Sequence, residues 1–269
     1  MKILKLRWID VIIVALFIPP YIYNPYIQNA FINILFPNSL CKNIKHPPNN
    51  DNFYSLIKTA TETFKLTIKG VIHIGANEGQ EKNIYKTFNI NNILWIEADP
   101  KLAQTLNDSI NHNDEPGIQV ANFAASNVNK QSTFFKTNNN GLSSSILKLK
   151  KHKTIFPSIV QTEEFPVTLK KLDSYFIEQE DPNNKTKYNF LVLDIQGAEL
   201  LALEGAKNTL KQIDGIISEV NYDELYENCA TIEKLDLFLL KHNFIRVDTK
   251  TEIKGYGNAL YINKKFLEI

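Results

Sequence analysis

Three stretches of the chain carry residues whose types and spacing could do chemistry. The first, Lys69-Gly70-Val71-Ile72-His73-Ile74-Gly75-Ala76-Asn77-Glu78-Gly79-Gln80, reads as a short apolar strand, a glycine-bearing turn and the start of a helix. Gly75 lets the chain reverse tightly, Gly79 removes a side chain where a ligand could approach the backbone, and the helix aims its free N–H groups into the gap. The second, Ile93-Leu94-Trp95-Ile96, ends in Glu97-Ala98-Asp99-Pro100. A carboxylate at the tip of the second strand of a parallel sheet is placed to accept hydrogen bonds from a ribose diol. Either acid could serve; Glu97 is preferred, because Asp99 before Pro100 suits a helix cap. The third, Asn189-Phe190-Leu191-Val192-Leu193-Asp194-Ile195-Gln196-Gly197-Ala198-Glu199-Leu200, runs an apolar strand into Asp194, allows close backbone approach at Gly197, and opens a helix with Glu199. Glu219 ends a further strand, Gly215 to Asn221. The chemistry these residues suggest is nucleotide binding beside an acid–base carboxylate.

The elements that must position them alternate. A helix over 53–64 precedes strand 71–75, helix 79–88, strand 93–97, helix 100–111 and strand 117–124, then a strand-like Gln131 to Phe135. After the strand ending at Asp194 come helix 199–210, strand 215–221, helix 231–241, and strands 244–248 and 259–262. Such alternation predicts an α/β fold with a doubly wound, mostly parallel sheet. With 269 residues, 43% of them hydrophobic, there is material for one sizeable domain plus an appendage. A net charge of +1 offers no basic face for nucleic acid. Cys41 and Cys229 have neither metal-ligand nor redox spacing and read as free thiols in a reducing compartment.

Residues 1–50 differ in composition from the rest. Lys2, Lys5 and Arg7 precede an apolar run from Val11 to Ile18 that stops at Pro19-Pro20, shorter than the roughly 20 residues a span needs. An interfacial membrane anchor, a signal-anchor helix and a helix packed on the domain or a partner all fit. His46-Pro47-Pro48 begins a linker, Asp51 or Asn52 could cap the helix that follows, and the domain runs over 51–269.

The glycine spacing selects among nucleotides. Gly75-Ala76-Asn77-Glu78-Gly79 lacks the G-x-G-x-x-G of a dinucleotide site. It resembles the Gly-Ala-Asn-x-Gly turn of FkbM-family methyltransferases, which use S-adenosylmethionine (SAM). Asp194-Ile195-Gln196-Gly197-Ala198-Glu199 is similar to that family's Asp-x-Glu-Gly-x-Glu signature, with Gln196 in place of the first glutamate. Ala125-Ser126, Ser143 to Ser145 and Thr168-Leu169-Lys170-Lys171-Leu172-Asp173 also follow the family's pattern, so the resemblance covers about residues 70–263.

The resemblance implies a Rossmann-like sheet of the class I methyltransferase type whose last strand is antiparallel. It implies SAM as cofactor, with His73, Gly75, Ala76, Asn77, Gly79, Glu97, Ala98, Phe123, Ala124 and Asp194 around it. Phe123 and Ala124 would flank the adenine. Methyl transfer to a hydroxyl requires loss of the acceptor proton, for which Asp194 is the choice, with Glu199 and Glu219 as polar partners. Glu199 could instead only complement a helix N-terminus.

Several positions stay open. His73 stands where the family carries Asp and reads as a core residue or a cofactor contact. His152 lies in the basic run Lys148 to Lys153, a solvated helix face or a source of a general base. The serines form a binding loop or a plain flexible one. Mg²⁺ is a less favoured addition, with Asp194, Glu219 and Asn221 offering oxygen atoms. The expected partner is a hydroxyl-bearing small molecule or glycan, met by a cytoplasmic catalytic domain with membrane contact through residues 1–30. A dehydrogenase-like NAD enzyme and a catalytically silent scaffold are the rival functions.

Overall fold

The computed structural model describes residues 52–179, 187–253 and 255–267. The expectations placed on residues 1–50, and on Asp51 as a cap, lie outside them. Among the described residues no helix is long and apolar enough to cross a membrane.

Strands β1 (Val71–Ile74), β2 (Ile93–Glu97), β3 (Ile118–Asn122), β7 (Phe190–Leu193), β8 (Gly215–Asn221), β9 (Phe244–Ile253) and β10 (Tyr256–Asn263) form one sheet in the order β3-β2-β1-β7-β8-β10-β9. Pairing is parallel from β3 to β8, and β10 runs antiparallel between β8 and β9. Every residue of β1, β2, β7 and β8 is buried, as expected of strands covered on both faces. Alternation splits them between two cores. Ile72, Ile74, Leu94, Ile96, Leu191 and Leu193 pack on one face; Val71, Ile93, Trp95, Phe190 and Val192 pack on the other.

A second sheet was not expected. It joins β4 (Ala124–Ala125), β6 (Gln161–Lys170) and β5 (Lys130–Thr137), with β4 parallel and β5 antiparallel to β6. The continuous strand read over 117–124 therefore divides: β3 stays in the main sheet, and past Phe123 the chain changes partner.

Helices are shorter than their patterns suggested, for local reasons. α1 (Asn52–Lys58) widens into a π turn over Thr59–Thr63, where the Thr61 hydroxyl donates to the Ile57 carbonyl and loosens the ladder. α2 (Lys82–Thr87) starts three residues beyond Gly79 because Gly79 is left-handed, with φ +75°. α3 (Pro100–Asp108) begins as read: the Asp99 side chain accepts from the Lys101 and Leu102 N–H groups, with Pro100 in the first turn. α4 (His152–Ile155) and α5 (Leu172–Glu178) flank β6, and α6 (Glu199–Glu204) is followed by a separate 3₁₀ turn, Thr209–Gln212. α7 (Ile232–Lys241) precedes β9.

His73 belongs to this packing and not to a ligand site, which corrects its place among the cofactor contacts. On β1 it alternates with Ile72 and Ile74, so its ring points to the opposite face. There it lies 4.8 Å from the Trp95 ring, and its Nδ1 shares a 2.8 Å hydrogen bond with the Tyr85 hydroxyl. Burial pushes its pKa down to about 3, so the imidazole is neutral in the folded chain. In the unfolded chain it takes up a proton below its ordinary value of about 6.5. Stability from keeping His73 neutral is therefore complete above pH 6.5 and is lost as pH falls toward 3. In His73→Gln, which can still accept from Tyr85 but does not titrate, the stability deficit relative to wild type should shrink by about 2 kcal/mol between pH 7.5 and pH 5. Urea unfolding at the two pH values measures it.

Candidate functional site

At the carboxyl ends of β1, β2, β4 and β7 lies a cleft of about 360 Å³. Its position is that of ligand sites in open α/β sheets, at the point where strand order reverses around β1. The tips carrying Gly75, Glu97 and Asp194 open onto this one cleft, together with Asn77, Ala98, Phe123 and Ala124.

The first wall is the turn after β1. Gly75 has φ +89°, and a Cβ there would collide with the carbonyl oxygen of Asp194. Glycine is thus required by the approach of the two strand ends. Asn77 is also left-handed, at φ +45°. Ala76 and Gly79, expected among the cofactor contacts, do not line the cleft: Ala76 is fully buried in the core beneath, and a Cβ on Gly79 would meet Leu106 Cδ1 at 2.8 Å. Gly79 makes room for α3, not for a ligand.

Glu97 joins this wall to the next. Its Oε2 accepts the Asn77 N–H and its Oε1 accepts the Asp99 N–H, each at 2.8 Å. Burial pushes its carboxyl up while these N–H groups pull it down. The Ala98 N–H is also directed at this carboxyl, so three backbone donors leave one of its four lone-pair positions for a further donor. Asp99, the alternative diol partner, is more fully committed, since Oδ1 caps α3 and Oδ2 binds Lys136 Nζ of β5 at 2.6 Å.

That ion pair holds the small sheet over the cleft, where Phe134 supplies an apolar surface. The loop after β5 is built rather than free. Ser144 Oγ accepts the Thr137 N–H at 3.0 Å, and Ser145 Oγ donates to the Ile195 carbonyl at 3.3 Å. Ser144, Ser145 and Leu142 line the cleft. The serine run hinted at this loop, but Phe134 and Leu142 carried no sequence signal beyond the alternation of a hairpin.

The floor is the turn after β7. The Asp194 side chain is exposed at the cleft and accepts from Gln196 Nε2 at 2.8 Å. Gln196 and Gly197 are left-handed, at φ +55° and +95°. Glu199 and Glu219 do not line the cleft, so neither is placed to touch a ligand there, and both are buried neighbours of Asp194. Glu199 Oε1 accepts the Ile195 and Gly197 N–H groups, both at 3.1 Å, and so folds the turn. Burial, with Asp194 nearby, pushes its pKa up to about 7. Glu219 lies buried beneath the turn, accepts from Gln196 Nε2 at 2.6 Å, and is pushed well up by burial and by Asp194 and Glu199. His152 is buried against Phe156 and Tyr226, away from the cleft, so it supplies no base there. Asn221 is buried and shares a small gap with Glu199 and Glu219, its carboxamide without a hydrogen bond among the described residues. Among the described residues no group of three His, Cys, Asp or Glu side chains is placed to hold a metal ion.

With this geometry in hand, the family model described as "Methyltransferase FkbM domain" matches residues 73–246. The chain belongs to the FkbM methyltransferase family. Its sheet is the class I methyltransferase arrangement, seven strands with β10 reversed. No curated protein matches this FkbM chain in sequence. Among solved structures it is similar to the FkbM methyltransferase of Methylobacillus flagellatus KT, at 14% identity and TM-score 0.46, over 72% of this chain and 43% of that one. It thus spans less than half the length of that relative. It is also similar to M. capricolum TrmK in complex with S-adenosyl-homocysteine, at 12% identity and TM-score 0.39, over 77% and 67% of the two chains. A Streptococcus agalactiae protein of the NADB-Rossmann superfamily matches at 11% identity and TM-score 0.42, over the same shares.

The two N–H groups held by Glu199 give the FkbM turn a separable test. Because the folded pKa is raised above the unfolded one, stability falls as pH rises from about 4.5 toward 7 and levels off above. Glu199→Gln and Glu199→Ala should both remove that decline, and Glu199→Ala, which strands both N–H groups, should lie about 2 kcal/mol below Glu199→Gln at every pH. Thermal unfolding from pH 5 to 8 distinguishes them.

Proposed function

We propose that this domain transfers a methyl group from SAM to a hydroxyl of a sugar, glycan or natural-product acceptor. The observation that carries the reading is that a nucleoside-sized cleft and a solvent-facing carboxylate, Asp194, share one opening. The residues present fit the cofactor. Glu97 offers a carboxyl acceptor to a diol, while Phe123, Ala124 and Phe134 supply apolar surface for a planar base. Asp194 adds negative charge where a cationic sulfonium would be favoured. When bound, SAM supplies an electrophilic methyl group.

The chain's own residues do the rest. Glu97 holds the turn after β1 and orients the nucleoside; the β5 hairpin, tied down through Lys136 and Asp99, excludes water from one side. Asp194 accepts the hydroxyl proton as the acceptor oxygen becomes nucleophilic, which general-base catalysis makes worth about 10²- to 10⁴-fold in rate. The reading places the domain on the cytosolic side, where SAM is available.

Calorimetry with SAM, S-adenosyl-homocysteine and NAD tests the assignment. SAM and its demethylated product should bind and NAD should not; preference for NAD would move the chain to another class of enzyme, and binding of none would favour a silent scaffold. Glu97→Ala should weaken SAM about 10- to 100-fold. Asp194→Asn should reduce methyl transfer to a hydroxyl acceptor by about 100-fold or more.

A further inference from the structure

Gln196 occupies a left-handed backbone position, φ +55°, which a residue with a side chain adopts at a cost of about 1 kcal/mol or more. The side chain so placed uses both ends. Its Oε1 accepts the Tyr226 hydroxyl at 2.6 Å, and its Nε2 donates to Asp194 Oδ1 at 2.8 Å and to Glu219 Oε2 at 2.6 Å. The Tyr226 hydroxyl, which also lies 3.3 Å from the Ser143 carbonyl, donates to the nearer amide oxygen, and the two carboxyl groups on the other side take the amide hydrogens, one each. Glu219 also shares a hydrogen bond with Asp194 directly.

An amide brings no charge. Among the described residues the titratable groups whose electrostatics bear on the pair are Glu199 and Tyr226, and neither is a cation. Two ionised carboxylates this close, one of them buried, repel strongly, so one proton stays between them. Glu219 is sealed under the turn and Asp194 opens to the cleft, which puts the proton on Glu219 and the charge on Asp194.

We propose that Gln196 is a positioning residue, anchored by Tyr226, that clamps Asp194 and Glu219 as a pair holding one proton, so that Asp194 presents a fixed ionised oxygen to the acceptor hydroxyl. The use of the pair rests on the methyl-transfer reading; its geometry does not. In the transfer, the acceptor O–H bond breaks and an O–H bond forms on Asp194. The pair then holds two protons and no charge, and the added proton leaves to water through the cleft.

The test is a pH titration of the full chain labelled with ¹³C at aspartate and glutamate carboxyls, followed by NMR. Glu219 should be protonated at pH 7.5 in wild type, and Asp194→Asn should lower its midpoint by about one pH unit or more, since a neighbouring charge and an acceptor are lost. Gln196→Met should raise the Glu219 midpoint and lower kcat about tenfold. Tyr226→Phe, which removes one hydroxyl only, should move both in the same direction by less and keeps the test open should Gln196→Met fail to fold. Glu219 ionised at pH 7.5, or a midpoint that Asp194→Asn leaves in place, would overturn the clamp. Loss of SAM binding in wild type with the titration as described would instead remove the functional reading and leave the clamp standing.

Discussion

The site depends on the missing side chain at Gly75. The ends of β1 and β7 approach until the space a Cβ would fill is taken by the Asp194 carbonyl, and the Asp194 N–H donates to Ile74 at 3.0 Å. That contact sets where the turn after β7 begins. From it follow the direction of the Asp194 carboxylate, the left-handed pair Gln196 and Gly197, and the loop N–H groups that Glu199 collects. A wider junction would leave the sheet intact and disperse the polar groups that now share one cleft.

Much of the polar inventory serves to hold turns rather than to meet ligands. Glu97 ties the turn after β1 to the turn after β2, Asp99 joins α3 to the β5 hairpin, and Glu199 closes the turn after β7. Each places a buried or half-buried acceptor against backbone N–H groups or a lysine, which is how such atoms avoid an uncompensated loss of hydration. A carboxylate at a strand tip therefore reads in sequence like a catalytic group whether it faces the cleft or the backbone. Asp194 is exposed at the cleft, whereas Glu199 and Glu219 are buried.

That difference marks the limit of what the sequence disclosed. Strand positions and the Asp99 cap were legible because apolar runs and capping chemistry are local, while the reversed last strand came from the family resemblance. Gly75 was legible as a turn glycine, but its partner across the sheet was not, and Gly79 carried the same signal for an unrelated reason, the packing of Leu106. His73 looked like a departure at a ligand position; strand alternation turned it toward Tyr85 and Trp95. The small sheet went unseen because β4 is two residues long and β6 pairs with strands on both sides of it only through long-range contacts. Gln196 looked like a neutral replacement, and its value emerges only when Tyr226, 30 residues later, is brought to its carbonyl.

The placement of β10 has a consequence for how the sheet is completed. Both long edges it covers, those of β8 and β9, belong to segments made earlier in the chain. Until residues 256–263 slot between them, one edge of β8 presents backbone donors and acceptors without partners, a surface that invites pairing with another molecule. During synthesis the hazard is greatest in the interval before Tyr256 emerges, so a chain stalled there would be a target for chaperones rather than a partly working enzyme.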